Sequence, residues 1–290
     1  MTVIGWIALI LVSPPIGALI ARLTGGHAII PQLIQVVLAV AILVFVQSSA
    51  RFRPMRLFVG ITIGWAAGYL AVSVIYSTPA WLDYQQHAPA SQWVMVDSLV
   101  QAIPMAAMLG LAMAAGMRRS QLYLVKGDLN AKSSMGLFGH RNWRVLIIPL
   151  AVVLAAISLS FLLFRLRSQV LTTSVVASAL PIVILFPVLN AINEEIRFRN
   201  VFLAAGLPLF GPTSILLMTS VFFGLAHFGS FLGTSGAGGT TASGLVYAGG
   251  AAVIGWILGR ATLDTGGVVA AWIIHGASDL VLILGYVLLR

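Results

Sequence analysis

The segment AIIPQLIQVVLAVAILVFVQS, residues 28–48, decides the fold class of this chain because it carries no charged side chain from end to end. Its length is close to the ~20 apolar residues that an α-helix needs to cross a bilayer. Similar segments recur along the chain and predict an all-α, polytopic transmembrane helical bundle with about eight or nine spans. The candidate spans are about 3–22, 28–48, 57–77, 93–116, 145–164, 171–193, 212–232, 243–262 and 267–289.

The composition of the whole chain supports the same fold class. Of its 290 residues, 60% are hydrophobic and only 8% are charged, against roughly a quarter charged in ordinary soluble domains. A soluble fold needs more polar surface than this, whereas lipid allows an apolar exterior. The chain has no cysteine, which excludes disulfides and thiolate metal sites. The sequence therefore predicts an integral membrane protein, with the lipid bilayer as its first partner.

The positive charge is concentrated in short loops between the apolar segments. The net charge is +9, but no dense basic stripe is present, so we expect no nucleic-acid partner. Loop 117–144 holds six Lys or Arg residues against the single acidic residue Asp128, and loop 49–56 holds three arginines. Loop 78–92 holds none. Because cytoplasmic loops are enriched in Lys and Arg, the first two loops are predicted to be cytoplasmic and the third external.

Ionisable residues in the predicted spans are concentrated in the last third of the chain. A charged side chain at mid-membrane costs about 2.5–3.5 kcal/mol on insertion scales, and such residues usually serve a function. Several of them facing lipid would be too costly, so we expect them to face one another around a polar cavity. The candidate site residues are Glu194, Glu195, Arg199, His227, His275 and Asp279.

The spacing of these residues agrees with a shared site. Glu195 and Arg199 stand four residues apart and can pair on one helix face, which leaves Glu194 free to act. His275 and Asp279 have the same spacing, so Asp279 could orient the imidazole of His275. Taken singly, each group also fits a solvated helix end, a packed histidine or a polar contact between helices. The combination within a hundred residues favours a catalytic site.

Three motifs resemble one family of enzymes. NEEIRFRNVF at 193–202 contains E-E-x-x-x-R, FGLAH at 223–227 is F-x-x-x-H, and HGASD at 275–279 is H-x-x-x-D. The pattern resembles the CPBP or Abi family of intramembrane peptidases, which includes type II CAAX prenyl endopeptidases and bacteriocin-processing enzymes. The resemblance covers about residues 170–290. Two positions depart from the family pattern, Asn200 in place of a common glycine and the charged Arg197.

The resemblance implies a role for each matching residue. Glu194 would activate the attacking water with the help of His227, and Glu195 with Arg199 would support the site. His275 and Asp279 would serve the oxyanion, with Asp279 orienting the histidine because an ionised carboxylate cannot donate a hydrogen bond. No cofactor is certain; the metal alternative is a divalent ion such as zinc.

The same resemblance divides the chain into two regions and predicts its setting. We expect residues 145–290 to form the CPBP/Abi-like peptidase domain. Residues 1–144 would be an N-terminal transmembrane region of unknown role that ends in the basic cytoplasmic loop 117–144. If a metal is present, its ligands would be Glu194, His227 and His275. The partner would be a membrane-associated peptide or protein substrate, and the expected location is the cytoplasmic membrane of a bacterium or archaeon.

Other functions remain open at this stage. The polar cluster could belong to a non-catalytic scaffold or immunity-type protein of the same fold, or to a proton-coupled transporter. Gly233-Thr234-Ser235-Gly236 spells the G-x-S-G of rhomboid serine peptidases, but its glycine-rich surroundings favour a linker. Asp264-Thr265-Gly266 spells D-T-G, but a single copy between two spans indicates a turn. H-E-x-x-H is absent, which argues against a zinc peptidase of the site-2 type.

Overall fold

The computed structural model describes residues 1–27, 29–165, 173–234 and 241–288, and their regular structure is helical. The first half contains α1 (Thr2–Leu11), α2 (Pro14–Leu23), α3 (Ile30–Ser48), α4 (Arg56–Tyr76), α5 (Pro79–His87), α6 (Ala90–Val100) and α7 (Ile103–Ala114). The second half contains α8 (Trp143–Arg165), α9 (Thr173–Glu195), a π-helical turn (Ile196–Val201), α10 (Phe202–Thr234), α11 (Thr241–Thr265) and α12 (Val269–Leu288).

The structure confirms a polytopic bundle of helices. Within the described ranges, six helical segments are long and apolar enough to cross a membrane, or seven if α1 and α2, bent by 54°, form one span. One of the six runs from Ile182 to Phe228 for 47 residues, which is more than twice the ~20 residues of one crossing. It breaks at Gly211, where φ is 74° and ψ is 167°. Within the residues whose side chains the structure describes, α12 contributes a further apolar helix, Val269–Ile283. Counting the α1–α2 pair, the two sides of Gly211 and α12 as separate crossings brings the number of spans close to the predicted eight or nine.

Two segments differ from the sequence expectation. The predicted external loop 78–92 contains helix α5, which begins after Thr78, whose hydroxyl accepts a hydrogen bond from the Trp81 amide at 3.2 Å. This is a standard N-cap arrangement. Residues 194–211, which fell between two predicted spans, are helical and largely buried instead of forming a connection. They stay helical because their charged side chains find partners inside the bundle.

The basic loop 117–144 docks on the connection between α11 and α12. The Asp128 amide donates to the Thr265 carbonyl at 2.7 Å, and the Val268 amide donates to the Val125 carbonyl at 3.1 Å. Gly266 has φ of 67°, as the predicted turn at Asp264-Thr265-Gly266 requires. Asp264 and Thr265 are the last residues of α11, and the turn itself begins at Gly266. Ser235 and Gly236 of the G-x-S-G sequence lie outside the described residues.

An aromatic cluster joins the two predicted regions of the chain. The ring of Trp65 on α4 lies 5.1 Å from Phe198 and 4.9 Å from Phe222, measured between ring centroids. These residues belong to one hydrophobic core that also includes Leu9 and Met108. The helix carrying the predicted site therefore packs directly on the first half of the chain, while the domain boundary near residue 144 stays a prediction.

The close approach of α4 to α7 depends on a glycine. A β-carbon at Gly68 would lie 2.4 Å from Cα of Pro104, whereas one at Gly60 on the same helix would meet nothing within 4 Å. We expect Gly68→Ala to destabilise the protein by about 1–3 kcal/mol through overpacking. Gly60→Ala is the matched control and should leave stability unchanged or slightly raised. Thermal melting of both variants in detergent tests this, and equal melting temperatures would contradict it.

Candidate active site

The two adjacent glutamates end α9, and the chain then makes a π-helical turn. This turn, Ile196–Val201, is buried throughout residues 197–201. A π-helical turn inserts one residue into the helical hydrogen-bond pattern and rotates the side chains that follow; such turns are frequent at functional sites. Here it lets Arg197 and Arg199, two residues apart, both contact the glutamate pair.

Glu195 forms the buried centre of an ion network. Its Oε1 lies 3.4 Å from Nη1 of Arg199 and 2.7 Å from Nδ1 of His275. The side chains of Glu195 and Arg199 are 0% and 2% exposed. The guanidinium of Arg199 also lies 3.9 Å from the centroid of the Phe223 ring, close enough for a cation–π contact. The predicted pairing of Glu195 with Arg199 is therefore present.

One carboxylate oxygen of Glu194, Oε2, faces the two histidines. Its Oε2 lies 3.6 Å from Nε2 of His227 and 3.6 Å from Nε2 of His275. These distances are longer than a direct hydrogen bond, and no described residue hydrogen-bonds to this oxygen. A water molecule can bridge polar groups separated in this way. The structure thus brings Glu194, His227 and His275 together around one point.

The backbone fixes the tautomer of His227. Its Nδ1 lies 2.9 Å from the carbonyl oxygen of Phe223, one turn earlier on α10. A carbonyl oxygen can only accept a hydrogen bond, so Nδ1 carries the proton and donates it. In the neutral ring Nε2 then presents a lone pair toward Glu194. That lone pair can accept a hydrogen bond from a water molecule.

Asp279 lies in the site but differs from its expected role. The four-residue spacing predicts that Asp279 orients His275, yet the short contact to the imidazole comes from Glu195. Oδ1 of Asp279 lies 3.6 Å from Nε2 of His275, and its Oδ2 accepts a hydrogen bond from Asn190 Nδ2 at 2.9 Å. The reason is geometric. Glu195 already accepts the hydrogen bond of His275 Nδ1, so Asp279, which lies on α12 with His275, can approach only Nε2 of that ring.

The structure adds three residues to the site: Arg197, which the sequence marked as a departure from the family pattern but not as a site residue, and Tyr69 and Asn190, which sequence reasoning missed. Arg197 is 3% exposed; its Nη1 donates to the Tyr69 hydroxyl at 2.7 Å, and its Nη2 lies 4.0 Å from Oε1 of Glu194. Asn190 is the third, with its amide nitrogen also 3.5 Å from Oε1 of Glu194. Asn190 is a polar residue in an apolar span, one helical turn before Glu194, and this position could have marked it as a site residue. Nothing in the sequence around Tyr69 marks it as a site residue.

A cavity of about 270 Å³ lies beside Glu194 and His227. It is bounded by α4, α6, α9, the π-helical turn and α10, so both halves of the chain contribute to its wall. The cavity gives a small molecule or a peptide side chain space next to the glutamate. The residues that line it are Tyr69, Asp97, Ser98, Gln101, Phe186, Asn190, Glu194, Arg197, Phe198, Ala226 and His227.

The predicted metal ligands Glu194, His227 and His275 share the site with two arginines. Within the described part of the chain, no group of three or more His, Asp or Glu residues is arranged to hold a metal ion. Arg197 and Arg199 also place two guanidinium groups beside the glutamates, which opposes binding of a cation. The metal alternative, with Glu194, His227 and His275 as ligands, stays a prediction, and no chemical step below uses a metal.

Comparison with known protein families gives a match for the last third of the chain. Residues 176–281 match the family model described as Type II CAAX prenyl endopeptidase Rce1-like. No curated protein and no solved structure matches the chain. The matched residues include all six candidate site residues named from the sequence. This part of the chain is therefore similar to the Rce1-like type II CAAX prenyl endopeptidases, a family of proteases, and the resemblance carried by the three motifs is confirmed.

Proposed function

We propose that this protein is an intramembrane endopeptidase that hydrolyses a peptide bond of a membrane-associated protein or peptide. One observation carries the proposal: a buried carboxylate oxygen of Glu194 lies 3.6 Å from the Nε2 atoms of both His227 and His275. The cavity beside Glu194 has room for a water molecule and part of a substrate. The similarity to a family of proteases supports the same reaction class.

In the proposed reaction, one water molecule sits between Glu194 and His227. It donates one hydrogen bond to Oε2 of Glu194 and the other to the lone pair on Nε2 of His227. Glu194 then takes a proton as the water oxygen bonds to the carbonyl carbon of the substrate. The tetrahedral intermediate collapses, the C–N bond breaks, and Glu194 returns the proton to the leaving nitrogen.

We assign His275 to the oxyanion. An oxyanion needs a hydrogen-bond donor, and Nδ1 of His275 already donates to Glu195 at 2.7 Å. His275 must therefore be an imidazolium to donate from Nε2 as well. Glu195 and Asp279 lie on opposite sides of the ring, at 2.7 and 3.6 Å, and can balance that charge.

We also propose where the reaction takes place. Residues 145–290 would form the peptidase domain, with residues 1–144 completing its wall through Tyr69. The basic loop 117–144 would face the cytoplasm, because basic loops are retained there. The membrane would be the cytoplasmic membrane of a bacterium or archaeon.

Peptide cleavage by the purified protein tests the function. The protein is reconstituted in proteoliposomes and incubated with a membrane-protein peptide library, and new termini are identified by mass spectrometry. We expect cleavage at defined bonds. Binding without cleavage would favour a scaffold or immunity-type protein, and proton flux into the liposomes without cleavage would favour a transporter.

Two additional arms of this experiment separate the chemical alternatives. We expect 1,10-phenanthroline to leave the cleavage rate within about twofold, because in the proposed reaction Glu194 and His227 activate the water without a metal. Loss of activity that zinc restores would instead assign Glu194, His227 and His275 as metal ligands. Ser235→Ala should also retain full activity, and its inactivation would favour a rhomboid-like serine peptidase.

A further inference from the structure

The cavity beside Glu194 is lined mainly by polar groups. Of the eleven described residues that line it, eight have polar or charged side chains and three, Phe186, Phe198 and Ala226, are apolar. This is unusual for a small-molecule pocket, because such pockets are lined predominantly by apolar side chains. The polar lining indicates an occupant that makes hydrogen bonds.

The wall opposite the glutamate comes from α6 and is held by a network of hydrogen bonds. Asp97 and Gln101 stand four residues apart on this helix and therefore share a face. The Tyr76 hydroxyl donates to Oδ1 of Asp97 and accepts from Nε2 of Gln101 at 2.8 Å. The carbonyl of Gln101 accepts a hydrogen bond from Asn193 Nδ2 at 3.2 Å. These bonds fix α6 against α4 and α9, so the wall is ordered before a substrate arrives.

The volume of the cavity limits what can enter it. About 270 Å³ is slightly below the ~300 Å³ at the lower end of pockets for drug-sized ligands. It suits one amino-acid side chain with some water. An isoprenoid chain has no hydrogen-bonding groups, so its entry would desolvate the polar lining without giving it new hydrogen bonds. Desolvation of polar groups without compensating hydrogen bonds is unfavourable, so this lining disfavours an isoprenoid.

We infer that this cavity is a specificity pocket for an uncharged, hydrogen-bonding side chain (Ser, Thr, Asn or Gln) of the substrate residue next to the scissile bond. Tyr69, Ser98 and Gln101 would supply its donors and acceptors. The inference rests on the proposed peptidase function and adds the substrate class. It also gives the first half of the chain a role, since all three of these residues lie in 1–144.

Isosteric substrates test the pocket. Starting from one cleaved library peptide, each residue flanking the scissile bond is made Thr or Val in turn, and then Asn or Leu. A site built for hydrogen bonds rejects analogues that lack them, so we expect kcat/KM to be at least tenfold higher for the polar member at one position. Equal values at both positions would overturn the inference. A farnesylated version of the peptide should show no gain, and a preference for it would also overturn the inference.

Variants of the lining provide the second measurement. Among the described residues, the Ser98 hydroxyl donates a hydrogen bond to the Val94 carbonyl of its own helix at 2.7 Å, so the fold should tolerate Ser98→Ala. We expect Ser98→Ala or Gln101→Leu to reduce the preference for Thr over Val to less than threefold. Leu99→Ala is the matched control, since Leu99 is 64% exposed and does not line the cavity. An unchanged preference in both lining variants would count against the pocket.

Binding distinguishes failure of this inference from failure of the proposed function. Fluorescence anisotropy of labelled Thr and Val peptides with the wild-type protein measures recognition without chemistry. Cleavage without a Thr preference in rate or binding would remove the pocket and keep the peptidase. A Thr preference in binding without any cleavage would keep the pocket and remove the peptidase.

Discussion

Glu194→Gln should reduce kcat for peptide cleavage by about 100- to 10,000-fold while leaving KM nearly unchanged. General-base catalysis by a positioned side chain contributes this range, and a glutamine amide cannot take the proton from water. The side chain keeps its size, so contacts with Arg197 and Asn190 lose charge but little packing. We expect the variant to remain folded in detergent.

The rate of cleavage and the elution profile of the same preparation check this expectation. Asp83→Asn is the matched control, since it makes the same change of a carboxylate to an amide. The Asp83 side chain is 77% exposed and contacts His87 on α5, outside the proposed site. Activity of the Glu194→Gln variant within tenfold of the wild type would exclude Glu194 as the base, whatever the fate of the fold.

The loss of cleavage caused by His227→Ala should overlap with the loss caused by Glu194→Gln. If both residues hold one water, their deletions act on a single unit, and effects within a unit are not additive. The double variant Glu194→Gln/His227→Ala should then be about as inactive as Glu194→Gln alone. If the fold-losses in cleavage rate of the two single variants multiply in the double variant, the two side chains act in separate steps.

Composition and motif spacing carried much of the sequence prediction. The apolar segment at 28–48 became α3 (Ile30–Ser48), since a long uncharged run has few stable alternatives to a membrane helix. Glu195 and Arg199 pair as their four-residue spacing suggested. Local patterns of this kind depend on helix geometry alone, which the sequence specifies directly.

Contacts between distant residues could not be predicted in this way. The hydrogen bond of Arg197 to Tyr69 joins positions 128 residues apart, and no local pattern marks such a pair. The π-helical turn at 196–201 was equally hidden. It rotates Arg197 inward, so the charged residue that departs from the family pattern lines the cavity and contacts Glu194. Arg197, which departs from the family pattern, is therefore part of the candidate site.

The assignment of Asp279 shows a limit of spacing arguments. His275 and Asp279 have the four-residue spacing of a paired helix face, and the sequence offered no competitor for the imidazole. The structure supplies one: Glu195 on α9 reaches Nδ1 of His275 at 2.7 Å. A contact between two helices overrides the contact within one helix because the buried carboxylate needs every partner available to it.

Glu195→Gln should therefore have the second large effect, and it should affect stability as well as activity. The change leaves the guanidinium of Arg199, whose side chain is 2% exposed, without its carboxylate. Breaking one side of a buried ion pair costs about 3–5 kcal/mol, which corresponds to a fall in melting temperature of roughly 10 °C for a chain of this size. Cleavage should fall at least about a hundredfold as well, because a carboxylate-to-amide change beside a catalytic histidine disturbs its tautomer.

A double variant separates the two effects of Glu195. Replacing both members of a buried ion pair by apolar residues is often neutral or stabilising, so Glu195→Leu/Arg199→Leu should recover most of the melting temperature lost in Glu195→Gln. Activity should stay low, because His275 still lacks the acceptor for Nδ1. Recovery of cleavage together with stability would show that Glu195 only balances Arg199. Stability restored without cleavage is the result expected if Glu195 positions His275 for the oxyanion.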